Sequence, residues 1–398
     1  MKARGTMASR TDRLLSRDLV VVLVAQTFFG YSFSSFLLFP KYLAVELGTN
    51  AAQIGQVATV NRFSTMVGLL VSGVMVDRFG RRPFLMGGAA LMTLASLSFF
   101  WVHEFGALIF LLRSLQGVAF GMAFAAGSAL VIDLAPPQKL AQAIGYFGVT
   151  MLSTNALAPL SVELLADFSG WRLAFTVAGF GALACVLASF LIREPSRGEA
   201  ESGQVSRFLD IALDPKQLRC AAVISIVGAA FATVFVLHQP FAVELGMDQL
   251  SLFFVGYTVA ALLVRLGAGP FFDRIGRSRV AVGSLFVYAV AVALTTDLAN
   301  VGLVRLGALL GLAHGFFYPS FNALVVEGAS QHDRGKIMAV FQGWFTAGGA
   351  LGTFFLGSLA YSRGFPMVFM TVGLATFLAF GILVLSPEGR SAFRRRVS

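Results

Sequence analysis

Two cysteines, four histidines and 20 acidic residues in 398 positions leave little material for the common chemistries of a chain this long. Cys185 and Cys220 both lie in or beside apolar runs and offer neither a disulfide framework nor a metal-ligand spacing. The histidines are scattered, no H-E-x-x-H is present, and no G-x-x-x-x-G-K-[ST] loop is available to cradle nucleotide phosphates. Nor is there a cluster of carboxylates. A membrane enzyme thus finds little support, an ATP-driven pump would need a separate subunit, no cofactor or metal is expected, and the chain does not read as an enzyme. Charge is also scarce: 13% of residues are charged and 57% hydrophobic, with a mean hydropathy of +0.79. Soluble domains carry roughly 25% charged residues. The solvent this chain is built for is lipid.

What is present is apolar sequence in long pieces. The uncharged runs are 19–40, 63–76, 83–103, 114–132, 140–162, 173–192, 220–243, 249–264, 280–296, 306–326, 337–362 and 364–387. About 20 helical residues cross a hydrocarbon core, and backbone groups in lipid must be satisfied within the helix, so twelve transmembrane helices are expected. A lipid-facing barrel would need polar and apolar residues in alternation, which is absent. The first run, 22 residues long and without a small-residue cleavage pattern, reads as a retained helix rather than a signal peptide.

The net charge of +10 is a matter of topology. With the amino terminus placed in the cytoplasm, all but seven of the 30 Lys and Arg residues fall on the cytoplasmic side. The seven are Lys41, Arg62, Arg113, Arg172, Arg265, Arg305 and Arg363, within helices or near their outer ends. The positive-inside rule then places both termini in the cytoplasm of a multi-pass inner-membrane protein and accounts for the basic character without a nucleic-acid partner.

Gly73-x-x-x-Asp77-Arg78-x-Gly80-Arg81-Arg82 recurs as Gly269-x-x-x-Asp273-Arg274-x-Gly276-Arg277, 196 residues later. Ala44-Val-Glu-Leu-Gly48 returns as Ala242-Val-Glu-Leu-Gly246. Gly117 and Gly121 correspond to Gly311 and Gly315, Asp133 to Glu327, and Gly170 with Phe175 to Gly364 with Phe369. A register that drifts only from 198 to 194 across six helices marks an internal repeat. The expected organisation is a cytoplasmic segment 1–17, a six-helix bundle 18–193, a cytoplasmic linker 194–218 with an interfacial helix at 208–213, a second six-helix bundle 219–387 and a basic tail 388–398. The fold class is thus an all-α membrane protein of two pseudo-symmetric bundles.

These features resemble the major facilitator superfamily over nearly the whole chain: twelve helices in two halves, the repeated G-x-x-x-D-R-x-G-R-R pattern after helices 2 and 8, and Arg113-x-x-Gln116-Gly117 in helix 4. The resemblance implies a monomeric secondary transporter whose halves rock around a site near the bilayer midplane. It also implies that Asp77 meets the amino-terminal end of helix 11. Gly73 would permit a close helix approach, and Arg81 would reach Asp133. With Arg78, Gly80 and the second set Gly269, Asp273, Arg274, Gly276, Arg277 and Glu327, these residues would gate the cytoplasmic side. The same arginines can also be read as mere topological anchors.

Arg62 is the most unusual charge, because it lies near the middle of an otherwise continuous second helix. An arginine at that depth is costly and reads as functional. At about 100° per residue, the 11 steps to Gly73 return to within about 20° of the same face. Arg62 and its neighbour Asn61 are then expected in the central cavity, unless the arginine is locked in a helix–helix pair. Arg113 matches a position that the resemblance associates with proton coupling. Glu163 in helix 5 is a carboxylate within a membrane run, and pairing with arginine in one state and desolvation in another would couple it to protons; the alternative is a solvated group at the rim. Further candidates for substrate contact are Gln26, Tyr31, Asn155, His238, Gln239, His314, Tyr318, Asn322, Gln342 and Trp344, each of which could instead serve packing between helices.

The first run contains no acidic residue, whereas exporters of cationic drugs in the family commonly carry one there. Arginines and amides favour an anionic, zwitterionic or neutral amphiphilic substrate. The leading expectation is a proton-coupled exporter of a small organic molecule. The alternatives are an uptake symporter or facilitator for an organic anion, and a non-transporting sensor or scaffold.

Overall fold

The computed structural model describes residues 15–194, 213–267, 275–330 and 333–390, without the side chains of Val74, Asp77 and Pro137. Twelve long helices are present among them: α1 Arg17–Ser35, α2 Ala51–Phe79, α3 Arg81–Ser98, α4 Ala107–Leu134, α5 Leu140–Ser169, α6 Trp171–Ser189, α7 Pro215–Glu244, α8 Ser251–Gly267, α9 Arg277–Leu294, α10 Leu303–Val325, α11 Arg334–Arg363 and α12 Phe365–Leu385. Nine spans are long and apolar enough to cross a membrane. The exceptions are α8, whose described part is short, and α2 and α11, which lack a sufficiently apolar stretch. Residues 208–212 of the linker helix expected at 208–213, and residues 268–274 of the second repeat loop, lie outside the described residues.

Several helices extend past the charges that bounded the apolar runs. α2 starts at Ala51 and includes Arg62; α4 includes Arg113; α5 continues through Glu163 to Ser169. A charged side chain does not end a helix when its backbone bonds are satisfied, so charge marks depth better than it marks helix ends. α1 likewise begins at Arg17, so Asp18 falls in its first turn and the acid-free stretch starts at Leu19. Ser16 caps it, its Oγ accepting from the Leu19 amide at 3.2 Å. Asp214 does the same for α7, accepting from the amides of Lys216 and Gln217 at 2.9 and 3.1 Å, with Pro215 at the first helical position.

Glycine sets the tight turns between antiparallel helices. Gly80 and Gly276 stand at φ of 104° and 92°, and Gly170 and Gly364 at 82° and 84°. Gly80, Gly170 and Gly364 each stand between two helices and Gly276 precedes α9, all in a region of φ that costs other residues. Both pairs are equivalents in the internal repeat, so the turn chemistry was duplicated with the helices.

Packing divides the chain into two compact units. The first comprises the described parts of Met1–Phe36, Ser64–Val102 and Leu111–Glu199; the second comprises those of Leu37–Phe63, His103–Phe110 and Ala200–Ser398. α2 is thus shared, its amino-terminal half packing with the second unit. The first unit is centred on Phe29, Leu85, Met92, Ala119, Ala123 and Phe147, and Phe36 stacks on Phe175 with ring centroids 4.7 Å apart. In lipid, apolar burial does not drive helices together, so close approach of small residues does much of the work. Gly68 of α2 meets Gly121 of α4 backbone to backbone; in the second unit Gly307 and Gly311 of α10 abut Phe253 and Tyr257 of α8, and Gly228 of α7 abuts Phe345 of α11.

Candidate functional site

Side chains from six helices converge in the second unit. Tyr257 of α8 and His314 of α10 are joined by a 2.6 Å hydrogen bond between the phenol oxygen and Nδ1, and His314 Nε2 is buried without a partner among the described residues. The imidazole packs against Phe231 of α7 at 5.0 Å, Tyr318 at 5.3 Å and Tyr288 of α9 at 6.2 Å between ring centroids. The Tyr318 hydroxyl donates to Gln342 Oε1 of α11 at 2.5 Å, and Phe345 lies 5.6 Å from Phe231. Asn322, one turn beyond Tyr318, approaches its hydroxyl and keeps Oδ1 buried without a partner among the described residues.

Arg62 enters this group from α2. Its guanidinium is half-buried, lies within electrostatic reach of Tyr288, and has no hydrogen bond or ion pair among the described residues. A Cβ placed on Gly349 of α11 would stand 3.3 Å from Arg62 Nη1, so glycine leaves the room that the arginine fills. One turn earlier, Thr59 Oγ1 donates to the Ala350 carbonyl at 2.9 Å and lies 3.1 Å from Thr353 Oγ1, which orients this face of α2 toward α11. Asn61, beside Arg62, is buried with 7% of its surface exposed.

A separate polar group lies in the first unit. Tyr31 and Ser161 share a 2.8 Å hydrogen bond between α1 and α5, and Ser34 Oγ donates to Asn155 Oδ1 at 2.8 Å. Arg113 is 8% exposed; its Nη1 donates to Gln116 Oε1 at 2.6 Å, Gln116 Nε2 donates to Ser96 Oγ at 3.2 Å, and the guanidinium lies 5.5 Å from the Phe36 ring centroid. Glu163 is 5% exposed.

Other sequence candidates are held in helix packing. Gln26 is fully buried and donates to the Ala123 carbonyl at 3.0 Å beside Gly127. His238 is fully buried against Phe253, with Nδ1 2.6 Å from the Val234 carbonyl. Gln239 donates to the Leu37 and Phe235 carbonyls at 2.8 and 2.9 Å and accepts from the Lys41 amide at 3.2 Å. Trp344 is 44% exposed.

In the repeated loop, Arg81 Nε forms an ion pair with Asp133, and the Arg81 amide donates to Glu194 Oε1 at 2.6 Å. Arg78 stands over the Phe79 ring. The second copy differs. Among the described residues Arg277 and Glu327 form no ion pair; the Glu327 carbonyl instead accepts from Lys216 Nζ at 2.7 Å. Among the described residues, a Cβ at Gly73 would meet nothing within 4 Å. The Asp77 side chain and Gly269, Asp273 and Arg274 lie outside the described residues.

Sequence reasoning missed Tyr257 and Tyr288. Their signal was rarity: with seven tyrosines in the chain, one inside an apolar run brings a hydroxyl that needs a partner. Phe231 and Phe345 carried no such signal among 40 phenylalanines.

The profile of the Major Facilitator Superfamily matches residues 20–264 and again 220–397. The chain belongs to the Major Facilitator Superfamily. It is a multi-pass secondary transporter, not an enzyme. Among curated relatives, the multi-drug resistance efflux pump PmrA of Streptococcus pneumoniae is 24% identical over 370 residues, covering 89% of this chain and 91% of its own length. The multidrug resistance protein MdtG of Dickeya zeae is 26% identical over 373 residues, covering 89% and 90%. The crystal structure of the nucleoside transporter NupG superposes with a TM-score of 0.76 at 15% identity, covering 94% of this chain and all of that one. That of the human organic anion transporter MFSD10 (TETRAN) gives 0.68 at 17%, covering 92% and 99%. These structural likenesses establish the superfamily fold; the efflux-pump relatives bear on function.

Proposed function

We propose that this transporter exports a small organic molecule bearing an anionic or hydrogen-bond-accepting group, by proton-coupled alternating access. Arg62 carries the reading. A guanidinium within a membrane helix is costly unless something neutralises or solvates it, and no protein group among the described residues pairs with it. Rings of Phe231, Tyr257, Tyr288, Tyr318 and Phe345 would receive the apolar body of the substrate. His314 Nε2, a donor when Nδ1 accepts from the Tyr257 hydroxyl, and Asn322 Oδ1, an acceptor, would hydrogen-bond to it. Similarity to PmrA and MdtG supports export. Arg81 with Asp133 would serve the gate, on the side to which the basic loops assign both termini.

Substrate binding to purified protein tests the role of Arg62. Arg62→Gln removes a charge-assisted bond of about 1.5–3 kcal/mol, so Kd should rise roughly 10- to 100-fold, with Arg62→Lys between the two. Unaltered binding by Arg62→Gln would remove Arg62 from the site. For coupling, buried Glu163 is the proposed proton carrier and Arg113 its regulator. In proteoliposomes, Glu163→Gln should abolish substrate-driven proton movement while leaving binding intact; proton flux equal to wild type would exclude it.

A second reading, uptake of an organic anion, also uses Arg62. Accumulation by oriented vesicles against and along a pH gradient separates it from export.

A further inference from the structure

The lipid-facing surface of the second unit is not uniformly smooth. A groove of about 460 Å³ opens between α9 and α12, lined on the α12 side by Met367, Met370, Leu374 and Phe377 and on the α9 side by Ala293 and Thr296. Its volume falls within the roughly 300–1,000 Å³ of small-molecule sites. Its α12 wall is strongly exposed: Met370 by 48% and Leu374 by 64%. Near the centre of the crossing, Gly373 lies against Ala293, whose Cα and Cβ would be 3.2 Å from a Cβ built there.

One end of the groove is positive. Arg363, the last residue of α11, lines it and has no ion-pair partner among the described residues. It sits at the turn into α12, where the capping residue Gly364 offers no side chain, so the first-turn amides other than that of Pro366 add to the positive field at the same end. Asp297 lies one residue beyond Thr296, outside the lining, where it accepts from Asn300 Nδ2 at 2.7 Å.

An apolar trough along two membrane helices, closed at its interfacial end by an unpaired arginine, is complementary to one membrane component. We infer that this groove is a binding site for an anionic phospholipid, with one acyl chain lying along Met370 and Leu374 and the phosphate at Arg363. The flexible methionines suit a chain without fixed shape, and basic side chains at the interface select anionic headgroups. The site is separate from the Arg62 cluster and does not depend on the reading of that cluster.

Native mass spectrometry of the purified full chain tests this directly, with phosphatidylglycerol as the probe, phosphatidylcholine and phosphatidylethanolamine as lipid comparisons, and sn-glycerol 3-phosphate as the headgroup alone. Phosphatidylglycerol should be retained preferentially. Arg363→Gln should weaken its retention about five-fold, Arg363→Lys should restore most of it, and Met370→Trp, which fills the trough without altering charge, should weaken it as well. Arg305→Gln, which removes an exposed arginine that does not line the groove, should change nothing. The inference fails if Arg363→Gln and wild type retain phosphatidylglycerol equally. It fails too if phosphatidylethanolamine is retained as strongly, or if glycerol 3-phosphate competes as well as the whole lipid.

Discussion

Replacing Gly311 with alanine should damage this transporter far more than the same change at two other glycines in the second unit. A Cβ at Gly311 would overlap the Tyr257 carbonyl group and stand 2.9 Å from Tyr257 Cα. Those are backbone atoms in the middle of α8, so relief requires moving a helix. At Gly315 the nearest atoms are Val264 Cβ and Cγ1 at 3.2 and 3.3 Å, so a shift of a few tenths of an ångström relieves the contact, and at Gly283 no described residue lies within 4 Å. Overpacking costs about 1–3 kcal/mol and alanine regains about 1 kcal/mol of helix propensity. The net is a loss of about 2 kcal/mol at Gly311, near zero at Gly315, and a gain approaching 1 kcal/mol at Gly283. At about 2–4 °C per kcal/mol, Gly311→Ala should lower Tm by roughly 4–8 °C. A thiol-reactive dye can read the transition, because Cys185 and Cys220 are 0% and 4% exposed and react only on unfolding. His314 is three residues along the same helix, so separating α8 from α10 should also stretch its 2.6 Å bond to Tyr257 and weaken substrate binding. Equal Tm for Gly311→Ala and Gly283→Ala would refute the argument that backbone contact at this crossing holds the site together.

Gln239→Ala should lower stability by about 1–3 kcal/mol, because it strips the Leu37 carbonyl and the Lys41 amide of buried partners. Gln239→Glu, which loses the two donated bonds, should do no better in the same thermal assay. At the carboxyl end, burial acts to raise the Glu388 carboxyl, but bonds from Arg219 and the backbone more than offset it and hold it below its ordinary 4.5. Its stabilisation is therefore present at neutral pH and lost as pH falls through the depressed value. With Arg219 38% exposed, it amounts to about 0.2–1 kcal/mol. Wild type should exceed Glu388→Gln slightly in Tm at pH 7 and match it in acid; a difference that persists in acid would assign the effect to packing.

The membrane fold was legible because lipid imposes a coarse and redundant code: long uncharged runs, basic loops and a repeat that survives in register. Depth was legible from charge, which is why Arg62, Arg113 and Glu163 stood out before any coordinates. Orientation around the helix was not. Gln26 and Gln239 look as functional as Gln342, yet the first two spend their amides on carbonyls of neighbouring segments while Gln342 meets a tyrosine within the aromatic group. An amide in a membrane helix announces that it needs a partner, and only packing says which. Glycines outside the repeated motif carry weight too: backbone contact is made at Gly68 and Gly121, which the motif does not include.

The repeat is therefore better followed through crossings than through loops. Gly30 meets Thr154 where α1 crosses α5, and their equivalents at offsets of 198 and 194, Gly228 and Gly348, lie at the α7 and α11 crossing. Gly68 meets Gly121, and their equivalents Val264 and Gly315 touch in turn. Backbone-level contacts tolerate little change, since any added atom must displace a helix. Side chains projecting from those helices are under no such constraint, and there the halves diverge: Arg62 corresponds to Thr258, Arg113 to Gly307, and His314 to Phe120. Gly307 shows why the divergence could not be symmetric. An arginine there would need its Cβ where the Phe253 carbonyl already stands, so the second half can pack α8 on α10 this closely only by giving up the buried cation that the first half keeps.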